Sequence, residues 1–388
     1  MPSKNMMNVA RYQREVDEEG LAGVVAASPN SVFYSTGALV FSQRKTSPQS
    51  SSRLIDDRPA YAVLDGSATQ VRLIVSEVEK SLACEDTWLK DVWAYREYKD
   101  NPVALLAQAI RELGLANKRV GIEKSYLRQS EIEQLVHLLP EAKFVESDSL
   151  WNRVRAVKTP AEIQILKRAA NITEEAMYKA LRLAKIGWTE RQLADLMVDN
   201  LLELGANSVY ICVVGAGKNV MDGSNRPGPY CLAHGDLVHL DFGGKFKGYG
   251  SDIARTAVVG RASSHQREVY KKYLNAQRRT INYMRPGVQA CDVFAFWKQA
   301  IVEEGLKNSL PHAGHGFALG GHDYPMLQPR EKTILEPNML FYVEPLFKDS
   351  DLNEAYHVED LVLITEGDPE ILSEYSATEE MFTIDWQS

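Results

Sequence analysis

LVHLDFGGKFKGYGSDIARTAVVG, residues 237–260, reads as a β-hairpin. Two apolar stretches, 237–242 and 249–259, flank the turn-forming Gly243, Gly244 and Gly248. A fold about a midpoint near Phe246 and Lys247 makes Asp241 and Asp252 cross-strand partners on one face. Carboxylates held that close repel each other unless they share a proton or a cation.

The device recurs at residues 341–364, FYVEPLFKDSDLNEAYHVEDLVLI, where Glu344 and Glu359 lie symmetrically about the polar turn 350–353. Between the two hairpins runs a glycine-rich segment, 311–322, that holds three of the chain's eight histidines: His312, His315 and His322. Two Asp, one His and two Glu carry about four negative charges, which two divalent cations would neutralise. A single acidic residue on a hairpin is usually a solvated strand-edge charge. Five ligand-type residues in order outweigh that reading.

Composition bounds the function. At 388 residues the chain has room for two domains. Its 45% hydrophobic and 25% charged residues are those of a globular protein. A net charge of -8 without a sustained basic run speaks against a nucleic-acid or anionic-membrane partner. Cys84, Cys212, Cys231 and Cys291 form no C-x-x-C pair, as expected of free thiols in a reducing compartment. No stretch is apolar enough to span a membrane, so the expected location is the cytoplasm.

Residues 1–158 alternate strand and helix patterns, with strands expected at 21–27, 32–35, 60–64, 71–76, 119–123 and 143–146 and helices at 103–113 and 130–139. The polar, serine-rich stretch 41–59 is a long loop. Thr159-Pro160-Ala161-Glu162 caps a long helix to about residue 183, and a second helix runs from Thr189 to Gly205. From there the layout nearly repeats at an offset of 100 residues: Gly187 with Gly287, Leu193 with Val293, Leu196 with Phe296, Met197 with Trp297, Leu201 with Ile301 and Gly205 with Gly305. A duplicated α+β unit, two helices and one carboxylate ribbon per half, is the consequence.

Asp241-x-Gly243, then Gly248-Tyr249-x-x-Asp252-x-x-Arg255-Thr256, Gly314-His315-Gly316, Glu344-Pro345 and Glu359-Asp360, in that order, resemble the pita-bread metallopeptidases: Xaa-Pro aminopeptidase, prolidase and their relative creatinase. The segments 30–37 and 155–162 resemble that family's N-terminal domain and interdomain helix start. The resemblance implies an α+β fold, with a creatinase-like α/β domain at 1–158 and a pita-bread catalytic domain at 159–388. It implies two divalent ions, Mn first with Co or Zn as alternatives, held by Asp241, Asp252, His315, Glu344 and Glu359. The ions would activate a bridging water that attacks a C–N bond of the Xaa-Pro type. Glu344 would also accept the water's proton, and His322 would contact the substrate carbonyl or the tetrahedral intermediate. A homodimer is implied too, with the 41–59 loop of one subunit near the other's site.

Three departures alter the expected substrate shell. The family's histidine before the first metal Asp falls here on Ser224 and Asn225. The histidine four residues before the metal histidine is Pro311, with His312 one place later. An arginine two residues before the last Glu is His357. Candidate substrate contacts are therefore His312, His357, Asn225 and Arg226. The departures raise an alternative: a relative specialised for a small non-peptide substrate, either a small-amide hydrolase or a dimethylsulfoniopropionate-type lyase. A catalytically dead binding module is a third reading, which retention of all five ligand positions argues against.

Overall fold

Residues 5–40, 58–222, 226–307, 309–319, 321–375 and 377–385 are described by a computed structural model. The chain divides into two units, Met1–Thr159 and Pro160–Ser388.

In the first unit, short β-branched runs form β1 (Gly23–Ala26), β2 (Tyr61–Asp65), β3 (Val71–Ser76), β4 (Val92–Tyr95), β5 (Arg119–Ile122) and β6 (Lys143–Glu146). They pair in the order β4-β3-β2-β1-β5-β6. Helices Pro102–Glu112 and Gln129–Leu138 bury Leu106, Ile110 and Leu135 in the core that also takes Val25, Val63 and Ile122. One expectation fails here. Residues 32–35 are not a strand but lie in helix Pro29–Thr36. Its ends explain why: Ser28 accepts from Ser31 N, Pro29 opens the first turn, and Gly37 closes it at φ 78°. The buried Glu123 carboxylate then pins the N-terminus, accepting from Ala27 N at 2.6 Å, Ser28 N at 2.7 Å and Ser31 Oγ at 2.7 Å. Capping thus overrides the β propensity of Val32, Phe33 and Tyr34. Of the expected 41–59 loop, residues 41–57 lie outside the described residues.

The second unit repeats itself. Helices Pro160–Leu183 and Glu190–Glu203 are followed, about 100 residues on, by Ser264–Tyr283 and Ala290–Glu303. Leu193, Met197 and Leu201 are buried, as are Val293, Trp297 and Ile301. The backbone follows suit: Gly187 N donates to Leu232 O at 2.8 Å and Gly287 N to Leu335 O at 2.9 Å, both glycines having φ near +90°, at 86° and 91°. Thr189 bridges Cys231 as Gln289 bridges Ile334.

Among the described residues this unit has twelve strands: β7 (Ser208–Ala216), β8 (Leu237–Phe246), β9 (Tyr249–Gly250), β10 (Ile253–Val259), β11 (Gly314–Gly316), β12 (Asp323–Met326), β13 (Leu340–Val343), β14 (Leu346–Asp349), β15 (Glu354–His357), β16 (Asp360–Leu363), β17 (Glu370–Ile371) and β18 (Phe382–Ile384). One sheet runs β18-β10-β8-β7, with β9 on β8; the other runs β12-β11-β13-β16-β17, and β14-β15 form a ribbon of their own.

Both hairpins form, and the first differs from its expected register. Gly243 and Gly244 are strand residues inside β8, and the turn is Lys247-Gly248, with φ 51° and 88°. Positive φ at both central residues is what a two-residue hairpin turn requires. The pairing Phe246↔Tyr249 and Asp241↔Ala254 moves the midpoint by one residue and the partner on the second strand by two. Asp252 is then the diagonal neighbour of Asp241, not its direct partner, and still faces the same side. The second strand is also interrupted between Gly250 and Ile253. In the second hairpin the pairs Val343↔Asp360 and Leu346↔His357 bracket Glu344 and Glu359 as direct opposites, in the break between two ribbons.

Candidate metal centre

Two features bring the ribbons' carboxylates inward. A Cβ on Gly243 would lie 2.1 Å from Ser251 O, so only glycine lets the chain before Asp252 close onto β8. Between the ribbons, Glu359 N donates to Ala254 O at 2.9 Å. The buried Arg255 then reaches Glu359 O at 2.6 Å, Glu174 Oε1 at 2.7 Å and Asp360 Oδ1 at 3.0 Å. Thr256 Oγ donates to His357 O at 3.0 Å and accepts from His357 N at 2.8 Å. Satisfied on every side, this network fastens one hairpin to the other.

His315 enters from β11, between the hairpins. Its Nδ1 is 3.0 Å from Gly316 O, an arrangement in which Nδ1–H donates and Nε2 is left to face the carboxylates. That Nε2 lies 3.1 Å from Glu344 Oε1 and 3.7 Å from Glu359 Oε1. Donor atoms of Asp252, His315 and Glu359 lie within 4.8 Å of one another, as do those of Glu344, His357 and Glu359. His312, His322 and Glu344 form a further such group, and so do His239, Asp241 and His357. Shared members join all four groups into one cluster.

The electrostatics are those of a site without its counter-charge. Burial first, then Glu344, pushes the Asp241 carboxyl up to about 7. Asp252 is raised by burial, then by Glu359 and Asp241; Glu359 is raised by burial, then by Glu344 and Asp241. For Glu344, burial is outweighed by His315, with His357 and His312 beyond, which hold it at about 2. Burial also opposes a charge on His315, yet Glu344 and Asp252 keep its pKa above the ordinary value. Asp241 Oδ1, Asp252 Oδ1, His315 Nε2, Glu344 Oε1 and Glu359 Oε1 are all buried and none makes an aligned hydrogen bond. The contacts among them are at ion-pair distances without hydrogen-bond alignment. Buried polar atoms are otherwise almost always paired, so five orphans within one linked cluster fit bound cations. Carboxylates with imidazole suit divalent Mn, Co or Zn.

The other candidates fall at different depths. His322 is half-exposed at 49%, stacked on His315 with ring centroids 4.0 Å apart, and its Nε2 is 3.9 Å from Glu344 Oε1. Burial and then His315 lower its pKa, so it faces the open side as a neutral imidazole. His312 Nδ1 is 3.5 Å from Glu344 Oε1. Arg226 is exposed, and Asn225, like Ser224, lies outside the described residues. His357 differs from the expected substrate contact: it is 3% exposed and packs beneath the carboxylates, its Nδ1 3.0 Å from His239 Nε2. Burial lowers its pKa to about 4, against the pull of Glu344.

His239 is the site residue that sequence reasoning passed over. It stands two positions before Asp241 on β8, the spacing that shares a face on a strand. An imidazole in an otherwise apolar strand was the available signal.

Residues 164–366 match the family model of Metallopeptidase family M24, and residues 9–157 match that of the Creatinase/Prolidase N-terminal domain. The chain is 28% identical to Xaa-Pro dipeptidase of Pyrococcus furiosus over 355 residues, covering 91% of this chain and 93% of that protein. Over 263 residues it is 30% identical to Xaa-Pro dipeptidase of Lactobacillus helveticus, covering 66% of this chain and 71% of that one. Its fold matches the crystal structure of X-Pro aminopeptidase from Thermotoga maritima with a TM-score of 0.81 at 21% identity, covering 96% and 100% of the two chains. No helix among the described residues is long and apolar enough to cross a membrane.

Proposed function

Because the chain belongs to metallopeptidase family M24 and is a hydrolytic enzyme, we propose that it carries a dinuclear centre and cleaves a C–N bond of the Xaa-Pro type in a short peptide. The observation that carries this reading is the set of five buried, unpartnered donor atoms on Asp241, Asp252, His315, Glu344 and Glu359. These side chains would hold two divalent ions, whose chemistry is to bring the pKa of a water toward neutrality and to polarise a carbonyl. That the relatives named above are Xaa-Pro dipeptidases supports the choice of bond.

Each residue then has a defined task. Glu344, held ionised at about 2 by His315 and its neighbours, is a carboxylate able to take a proton from the attacking water. His322, neutral and on the open side, is placed to steady the substrate carbonyl. His312 lines the same edge. With Ser224 and Asn225 where relatives place a proton-donating histidine, ordinary Xaa-Pro dipeptides should turn over slowly. A homodimer completes the reading.

The test is metal content of the purified protein, followed by Xaa-Pro dipeptides, longer Xaa-Pro peptides and small N-acyl compounds with Mn, Co and Zn. Two ions per chain with metal-dependent cleavage of at least one Xaa-Pro substrate is the expected result. A protein that takes up no divalent metal would overturn the centre; peptides inert beside a rapidly cleaved N-acyl compound would overturn the choice of bond. Light scattering showing a monomer at micromolar concentration would refute the pairing.

A further inference from the structure

Each ribbon carries a histidine two residues before one of its carboxylates: His239 before Asp241, and His357 before Glu359. The two imidazoles meet beneath the cluster, His239 Nε2 to His357 Nδ1 at 3.0 Å. His357 is therefore occupied at Nδ1, while its buried Nε2 makes no hydrogen bond of full geometry, the Glu344 backbone being the polar group near the ring. That nitrogen faces Glu344 Oε2 at 3.8 Å, too long for a hydrogen bond. The separation fits two donors on either side of one cation, since ligand bonds of about 2.0–2.2 Å set neighbouring donors roughly 3–4 Å apart. His357 is also the residue common to the His239–Asp241 and the Glu344–Glu359 groups.

We propose that His357 is a further protein ligand of the metal centre, through Nε2, and that His239 is the positioning residue that holds it there. The inference rests on the centre proposed above and deepens it. In the ligating form, His357 Nδ1–H donates to His239 Nε2, leaving the Nε2 lone pair directed at the carboxylates. A second imidazole moves the donor set away from the oxygen-rich shell that suits Mn(II) and toward Co(II) and Zn(II).

The experiment uses metal-free full-length protein, titrated with Co(II) and separately with Mn(II) by calorimetry, with Co(II) visible absorption and X-ray absorption fine structure on the loaded samples. His357→Ala should lower Co(II) affinity by more than the roughly 10–100-fold that an outer-shell partner costs, and Mn(II) affinity by less. It should also reduce the imidazole scattering, the remainder of which is lost only when His315→Ala is added to it. His239→Ala should weaken Co(II) by roughly tenfold, and His239→Gln, which restores an acceptor, should recover part of the loss. Unchanged Co(II) affinity and imidazole scattering in His357→Ala, with both reduced in His315→Ala, would overturn this inference and leave the centre standing. A wild-type protein that binds neither ion would overturn the centre and the inference together. If His357→Ala fails to fold, His357→Gln, which keeps the volume without the imidazole, takes its place: loss of one imidazole's scattering supports the proposal and unchanged scattering refutes it.

Discussion

The two carboxylate ribbons do the same job by different means. In the first, β8 to β10, the register continues past the interruption and Asp241 and Asp252 are diagonal neighbours; in the second, the ribbon itself is broken and Glu344 and Glu359 stand opposed in the gap. Their charge states differ as well. Burial and the carboxylates around them push both of the first ribbon's acids above the ordinary range, against the opposing pull of His315. The second ribbon has one acid, Glu344, surrounded by His315, His357 and His312 and held at about 2, beside another, Glu359, pushed up. Charge is therefore set by which side chains converge on an acid and not by the hairpin that carries it.

Removing a ligand tests the shared part of that comparison and should have the largest effect. Asp252→Asn or Glu359→Gln should each lower metal affinity by more than the roughly 10–100-fold that an outer-shell partner costs, with hydrolysis lost in step. Calorimetry with Mn(II) and Co(II) checks this, and equal losses from both ribbons would confirm that neither is subsidiary. Next comes the joint between the ribbons. Asp360→Ala removes a partner from the buried Arg255 and from the half-buried Arg278, which should destabilise the second unit by about 3–5 kcal/mol in a denaturant titration.

His322→Ala separates chemistry from metal holding: kcat on a cleaved substrate should fall by about 100-fold, with metal affinity little changed. Loss of metal alongside kcat would show that His322 belongs to the floor of the site instead of its open side. Gly243→Ala sharpens the first ribbon alone, since its added methyl meets Ser251 O and should cost about 1–3 kcal/mol by thermal unfolding.

The smallest effect is on pH dependence of the metal-free protein. An Asp241 carboxyl at about 7, above the ordinary value near 4, stabilises the folded state below pH about 4 and loses that contribution as pH rises through about 7. Glu344 works in the opposite sense: held at about 2, it stabilises above the ordinary carboxylate value, and the contribution is lost as pH falls through about 2. Thermal unfolding of metal-free protein from pH 3 to 8 should therefore show Asp241→Asn flattening the neutral limb, and Glu344→Gln the acid limb.

Residue order alone was enough to identify both hairpins, the five ligand-type side chains and the internal repeat, because period-two apolar patterns and glycine turns are local properties that the chain cannot hide. Glu344 and Glu359 were legible as opposites since the polar turn between them sets the midpoint. Asp241 and Asp252 were placed two residues out of register, since two glycines within β8 imitate a turn that Lys247-Gly248 makes. Residues 32–35 went astray for a related reason: a Ser28 cap and a buried Glu123 92 or more positions from its partners decide that segment. The His239–His357 contact spans 118 residues of sequence and depends on the two ribbons being fastened by Arg255 and Thr256. Which acids keep their protons was likewise decided only by the tertiary structure, because desolvation and the approach of charges from other elements have no signature in the order of residues along a strand.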